Sequence, residues 1–102
     1  MRKRSGETRF EKSLHDELKK NGIWFIKLKP TITGFPDRMA LMAPGRKVFV
    51  ELKGLTGVVS PAQDKVHRQL RELGFHVLVI KKGEYTVSGA YDLILFALLK
   101  KS

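Results

Sequence analysis

The sequence predicts a mixed α/β domain in which helices cover the faces of a central β-sheet. Helix-forming segments lie near both ends and in the middle of the chain, and β-branched or aromatic runs lie between them. The predicted element order is α-β-β-β-α-β-(β)-α, in which the strand in parentheses is a short ambiguous run. At 102 residues we expect a single domain over residues 1–102, with residues 1–6 as a flexible basic tail.

The first half of the chain predicts a helix, a strand and a hairpin. Apolar side chains recur at every fourth position over residues 7–21 and a glycine follows them, which is typical of a helix and its end. Residues 23–28 are β-branched and aromatic, which favours a strand. The runs 37–43 and 47–52 are separated by a Pro-Gly pair, so we expect a hairpin in which opposite residue numbers sum to 89.

The second predicted helix has the clearest start signal in the chain. Ser60 is the expected N-cap, Pro61 occupies the first helical position, and Gln63 completes a capping box. An apolar stripe continues from there to Leu73, and Gly74 ends the helix.

The last third of the chain predicts a buried strand and an unusually apolar helix. Residues 75–80 form a continuous apolar run, 84–87 is ambiguous, and the final helix is expected over 89–99. This helix is apolar nearly all round, which is more than one sheet face can cover, so we expect a homodimer that buries the surplus. A central core helix is the alternative.

The charge balance indicates a polyanionic partner. The chain has 20 Lys+Arg and 10 Asp+Glu, which gives a net charge of +10. Such an excess favours nucleic acid, since a polyanion would relieve the self-repulsion; a solvated surface that only aids solubility is the alternative. The expected contacts with DNA are Arg2, Lys3, Arg4, Lys27, Lys29, Arg38, Lys65 and Arg68.

Composition also excludes several classes. The absence of cysteine rules out thiolate metal sites, disulfide scaffolds and cysteine nucleophiles. The longest strongly apolar stretch, 93–99, is far shorter than the ~20 residues that span a bilayer. The basic N-terminus is followed by polar residues, so we expect no signal peptide, no membrane partner and a soluble intracellular protein.

Three polar side chains interrupt the apolar pattern of the hairpin. Asp37 follows a proline at the start of one run, and Glu51 and Lys53 share a side at the end of the other. The expected register places Asp37 across from Leu52 and beside Glu51. Two carboxylates at such a spacing suit Mg²⁺, which keeps waters for a phosphate. An ordinary ion pair between Glu51 and Lys53 at a strand end is the alternative.

These residues resemble the motifs of the PD-(D/E)XK nuclease superfamily, and most closely those of its VRR-NUC family. The resemblance covers roughly residues 10–80. The matching segments are Glu11 with Leu14-His15, Gly34-Phe35-Pro36-Asp37-Arg38, Glu51-Leu52-Lys53 and Ser60-Pro61-Ala62-Gln63. The resemblance implies a restriction-endonuclease-like sheet flanked by helices, and a stand-alone enzyme of a bacterial or phage-infected cytoplasm.

The resemblance also implies a metal site. Asp37 and Glu51 would hold Mg²⁺, for which Mn²⁺ would substitute, with the Leu52 carbonyl as a third oxygen. Lys53 would orient the attacking water and stabilise charge on the phosphate. Glu11 would contact the metal directly or support the site, although a solvated boundary glutamate is equally compatible with helix geometry.

Other polar residues have less distinctive patterns. Gln63 would support catalysis, or would only cap its helix. Arg38 is expected on the opposite strand face from Asp37, where it would contact a phosphate or pair with an acid. The three histidines show no metal-ligand spacing, and we expect them to be solvated or packed.

The function predicted from these observations is a Mg²⁺-dependent, structure-specific DNA endonuclease. Branched DNA such as a Holliday junction is the favoured substrate, and a homodimer through helix 89–99 would provide one site for each strand. The alternative function is a non-catalytic basic module that binds nucleic acid, in which the acids are structural.

Overall fold

The structure is a computed structural model that describes residues 8–100. This part of the chain contains three helices and four strands. They are α1 (Arg9–Lys20), β1 (Trp24–Lys27), β2 (Arg38–Met42), β3 (Arg46–Lys53), α2 (Pro61–Glu72), β4 (Val77–Lys81) and α3 (Val87–Leu99). The predicted fold class and element order are confirmed. In the ambiguous run 84–87, Tyr85 forms an isolated bridge with Lys82, and Thr86 and Val87 belong to the start of α3. The expected tail 1–6, with Arg2, Lys3 and Arg4, lies outside the described residues.

The strands form one sheet in the order β1-β2-β3-β4, antiparallel except for the parallel pair β3 and β4. Such a parallel pair needs a crossover connection, which α2 supplies. On one sheet face α1 and α3 cover a core that includes Val48 and Val50. On the other face Phe49 packs with Leu70 of α2 and Val77. The alternation of β3 side chains therefore directs Glu51 and Lys53, like Phe49, toward α2.

The hairpin register differs by one residue from the prediction. Arg38 lies opposite Val50 and Met42 opposite Arg46, so opposite numbers sum to 88 rather than 89. The reason is a three-residue connection, 43–45, whose centre is Pro44, where a two-residue centre was expected. Continued by one residue, this register places Asp37 opposite Glu51 and not opposite Leu52.

Capping side chains set the starts of all three helices. Thr8 and Glu11 form a capping box at α1, and Ser60 and Gln63 form the predicted one at α2. Thr86 caps α3, so this helix begins at Val87, two residues before the predicted start at residue 89.

The end of α2 and the start of β4 also differ from the prediction. The helix ends at Glu72, and Leu73, expected in its apolar stripe, is 73% exposed. Phe75 is not in β4, because its N–H bonds to the Leu70 carbonyl as the chain leaves the helix. The strand accordingly begins at Val77.

Most of α3 is covered by the rest of the domain. Ala90, Ile94, Ala97 and Leu98 are buried against α1, β2 and β3, which makes this face of the helix part of the core. Phe96 and Leu99 remain exposed, at 64% and 55%. Over residues 8–100 no helix has the length and apolar character required to cross a membrane.

Candidate active site

The predicted site residues meet where β2 begins, β3 ends and α2 begins. Because β2 and β3 are antiparallel, the start of one lies beside the end of the other. Asp37 precedes β2, and its Oδ1 accepts a hydrogen bond from the Leu52 N–H at 3.3 Å. The Asp37 carbonyl accepts from the Leu28 N–H at 2.8 Å. Contacts with residues at the ends of β1 and β3, the two strands on either side of β2, thus hold this aspartate in place.

The loop before Asp37 packs directly on the start of α2. Gly34 has a φ of +92°, and a Cβ built there would lie 2.4 Å from the Ala62 carbonyl oxygen. Only glycine fits such a conformation and such a close approach. The loop that carries Asp37 and the helix that carries Gln63 are therefore fixed against each other.

Glu51 is the buried acid of the site, with only 4% of its surface exposed. Its Oε2 accepts a hydrogen bond from Gln63 Nε2 at 3.0 Å and lies 3.6 Å from Lys53 Nζ. Burial, and after it the nearby charge of Asp37, raises the pKa of Glu51 to about 6. A carboxylate with this raised pKa is poised for a cation that would stabilise its charged form.

Gln63 caps its helix and also contacts two other residues of the candidate site. Its Oε1 accepts from the Ser60 N–H at 3.0 Å, which completes the cap of α2. The same oxygen accepts from Lys53 Nζ at 2.7 Å, while Nε2 donates to Glu51. One amide therefore links the helix start to both the acid and the ammonium group of the site.

No family model matches the chain. Over 75 residues the chain is 35% identical to the protein described as "Putative nuclease p44" of Acyrthosiphon pisum secondary endosymbiont phage 1, which covers 72% of this chain and 81% of that protein. A solved structure described as "VRR_NUC domain" superposes with a TM-score of 0.69 at 23% identity, over 86% of this chain and 91% of that one.

The chain belongs to the VRR-NUC family of nucleases. The family predicted from the motifs is therefore confirmed. The prediction of a nuclease, an enzyme that hydrolyses phosphodiester bonds, is confirmed over the alternative of a non-catalytic binding module.

In this VRR-NUC nuclease, Glu11 connects to the site through an arginine. Arg38 is buried, and its guanidinium lies 3.4 Å from Glu11 Oε1 and 3.6 Å from Asp37 Oδ2. Glu11 also accepts from the Thr8 N–H at 3.2 Å, as part of the α1 cap. Of the two roles expected for Arg38, the structure gives the pairing with acids. Because Arg38 is only 7% exposed, a phosphate contact would require its guanidinium to become more accessible.

His67 is the residue that sequence reasoning missed. It is 2% exposed, as expected of a packed histidine, but its Nε2 lies 3.6 Å from Glu51 Oε1. Burial, with the nearby charge of Arg71 adding to it, lowers the pKa of His67, which favours the neutral ring. The available signal was its position four residues after Gln63, which places both side chains on one helix face.

Among the described cations expected to contact DNA, Lys27, Lys29, Lys65 and Arg68 are exposed, whereas Arg38 is buried. Lys27 ends β1 beside the start of β2, Lys29 follows it, and Lys65 lies in α2 close to the capped end. Arg68 is exposed as well, although its Nε lies 3.2 Å from Asp64 on the same helix. These side chains add positive charge at the sheet end and helix that carry the site.

The donor set of the nuclease site suits a hard divalent cation. In the described range 8–100, no three or more His, Cys, Asp or Glu side chains surround one metal position. Glu11 contacts Arg38 in this structure, and its contact with a metal stays a prediction. Glu51 Oε1, however, is a buried carboxylate oxygen without a hydrogen-bond partner. Two carboxylates with an oxygen free for a ligand fit Mg²⁺, which retains several waters.

Proposed function

We propose that this nuclease is a Mg²⁺-dependent, structure-specific DNA endonuclease whose favoured substrate is branched DNA such as a Holliday junction. The observation that carries the proposal is the convergence of Asp37, Glu51 and Lys53 at one end of the sheet, with Lys53 and Glu51 held by the same glutamine. An ordinary ion pair at a strand end would not account for a buried carboxylate that is directed into this cluster.

Asp37 and Glu51 would hold the ion, with the Leu52 carbonyl and water completing its coordination, and Mn²⁺ would substitute for Mg²⁺. When bound, the ion supplies polarisation of the phosphate and a lowered pKa of a water molecule. Gln63 Nε2 keeps the Glu51 carboxylate oriented, and the Leu52 N–H does the same for Asp37. The protein therefore presents its two acids in a preset arrangement.

Lys53 would orient the attacking water and stabilise the extra negative charge of the phosphate. Its ammonium group has three donors, of which Gln63 Oε1 occupies one. The remaining donors are available to a phosphate oxygen and a water. Because the partner at 2.7 Å is a neutral amide, the ammonium group is held in place without its charge being cancelled by that partner.

DNA binding would rest on the basic surface beside the site. The net charge of +10 and the exposed Lys27, Lys29 and Lys65 support it, since phosphate neutralisation and counterion release drive non-specific affinity. Arg2, Lys3 and Arg4 would add further phosphate contacts.

A homodimer would explain cleavage of both strands of a branched substrate. One chain carries one such site, so two cuts at a junction need two copies. The exposed Phe96 and Leu99 on α3 support a symmetric contact between copies, because such a contact buries the same apolar patch from both sides.

A cleavage panel tests this function. Labelled four-way junction, flap, single-stranded and linear duplex DNA are incubated with the protein in Mg²⁺, in Mn²⁺ and in EDTA. We expect internal cuts that need the ion and are fastest on the junction. Cleavage that is equal in EDTA would contradict the metal requirement, and faster cleavage of linear duplex would contradict the substrate preference.

A further inference from the structure

Two buried polar atoms face each other without a hydrogen bond at the site. Over residues 8–100, the buried side-chain polar atoms without a partner are Glu51 Oε1, His67 Nε2 and His76 Nε2. The first two lie 3.6 Å apart. Unpaired buried polar groups are unfavourable and rare in folded proteins, so their occurrence as a facing pair calls for an explanation.

A small movement would join these two atoms. Hydrogen bonds between nitrogen and oxygen span about 2.7–3.2 Å, so a shift of about half an ångström closes the gap. The nearest polar neighbour of Nε2 is a carboxylate oxygen, which favours the tautomer that carries its hydrogen on Nε2. Catalytic hydrogen bonds are often long before a ligand is bound and tighten afterwards.

We propose that His67 is a positioning residue that donates a hydrogen bond from Nε2 to Glu51 Oε1 and so orients this carboxylate for the divalent ion. This inference rests on the proposed function of Glu51 as a metal ligand. It adds a role to a residue that itself touches neither the ion nor the DNA.

The geometry of α2 explains why two donors can reach one carboxylate. Gln63 and His67 are four residues apart and therefore lie on the same face of the helix, one turn from each other. Gln63 Nε2 already donates to Oε2 at 3.0 Å, and His67 Nε2 points at Oε1. With one donor at each oxygen, rotation of the carboxyl group is blocked.

Neutral donors suit this task better than cations. Each oxygen of a carboxylate can accept about two hydrogen bonds or ligands, so one donor leaves room for a metal at either oxygen. An amide and a neutral imidazole hold the group without cancelling the charge that attracts the ion. Donors behind a ligating side chain typically contribute 10–100-fold to metal affinity.

The test measures Mn²⁺ binding to the intact protein without DNA, by the loss of the free-ion EPR signal, in a matched set of variants. His67→Leu removes the donor, and His67→Gln returns a donor to nearly the same place. His76→Leu is the control, since it deletes the other histidine whose buried Nε2 lacks a partner. Asp37→Asn reports on the metal site itself.

We expect His67→Leu to weaken Mn²⁺ binding by about tenfold or more, while His67→Gln recovers most of the affinity and His76→Leu binds like the wild type. In cleavage assays with limiting metal, the loss should fall on the metal concentration needed for half the maximal rate, and not on the KM for DNA. A merely structural role would not produce recovery by glutamine.

The outcomes separate this inference from the proposed function. If Asp37→Asn loses Mn²⁺ while His67→Leu binds it with wild-type affinity, the role of His67 is refuted and the metal site stands. If the wild type binds no Mn²⁺, both are refuted. Should leucine prevent folding, as judged by circular dichroism, His67→Met replaces it, and equal affinity of the methionine and glutamine variants would refute the hydrogen bond.

Discussion

At the end of β3, buried polar side chains hold one another by hydrogen bonds, whereas the outer face of α3, formed by Phe96 and Leu99, leaves apolar side chains exposed. In the first region Gln63 contacts both Lys53 and Glu51, and the Leu52 N–H holds Asp37. In the second, within residues 8–100, Phe96 and Leu99 keep more than half of their surface exposed. The first region therefore holds its candidate catalytic groups in a fixed arrangement, and the second is suited to contact another molecule.

This difference also separates two kinds of stability. A buried polar cluster is specific, but it gains little net energy, because each group first loses its contacts with water. Exposed apolar side chains gain energy only when something removes them from water. Mutations in the first region should therefore act on chemistry, and mutations in the second on assembly.

The largest effect is expected from removal of the ligating acids. Asp37→Asn and Glu51→Gln should each reduce the cleavage rate by roughly 10³-fold or more, since the metal contributes several kcal/mol to catalysis and each 1.4 kcal/mol is tenfold. DNA binding should be kept or tightened, because a charge that repels phosphate is gone. Single-turnover cleavage and binding titrations measure the two effects. Wild-type cutting by either variant would refute the metal-site assignment.

A somewhat smaller loss is expected at the ammonium group. Lys53→Met should lower kcat by about 10²–10³-fold, as for other donors that stabilise transition-state charge. Lys65→Met, in contrast, should act on affinity and reduce the salt dependence of DNA binding by about one ion. Kinetics at saturating and subsaturating DNA distinguish the two. An equal loss of affinity in both variants would show that Lys53 is a phosphate contact like any other.

Part of the polar site at the end of β3 could be predicted from the sequence, and part could not. The hairpin, the capping box at Ser60 and the cluster of Asp37, Glu51 and Lys53 follow from local rules of alternation and capping. The contact of His67 with Glu51 does not, because it depends on how α2 packs across the face of β3. Spacing places His67 on the same helix face as Gln63, but it does not show that His67 reaches Glu51.

Two other features were predicted only in part, for related reasons. Alternation places Arg38 on the α1 side of the sheet, where it meets Glu11, but its long side chain also reaches back to Asp37. The composition of α3 correctly indicates a surplus of apolar surface. Which apolar side chains of α3 stay exposed depends on how the helix packs on α1 and the sheet. Phe96 is exposed, whereas Leu95 packs against the core.

Substitution on α3 tests whether its outer face joins two copies. Phe96→Glu should give a folded monomer that cuts junctions poorly, since an unpaired charge in an apolar contact is strongly unfavourable. Leu98→Glu is the control in the core, because Leu98 is 1% exposed. That variant should unfold, as total stability is only ~5–15 kcal/mol. Light scattering and circular dichroism measure both results, and a wild-type protein that is monomeric at micromolar concentration, with and without DNA, would refute the interface.

The smallest expected effect is a pH dependence of stability that is caused by Glu51. Its pKa is raised from 4.5 to about 6 in the folded protein, so between these values the folded state binds more protons than the unfolded state. The stability of the metal-free protein should therefore fall as pH rises through this window, by about 2 kcal/mol in total.

Denaturant titrations in EDTA at several pH values between 4 and 7 measure this contribution as the difference between the wild type and Glu51→Gln. The glutamine variant cannot ionise, so it should gain stability relative to the wild type as pH increases. Excess Mn²⁺ at pH 7 should reverse the trend in the wild type alone, because a bound cation stabilises the charged carboxylate and binds only the folded state. If the stability difference between the wild type and Glu51→Gln did not change with pH, contacts within the protein would already offset the burial of the charged carboxylate. Glu51 would then be an ordinary paired acid and not an acid that a metal ion stabilises.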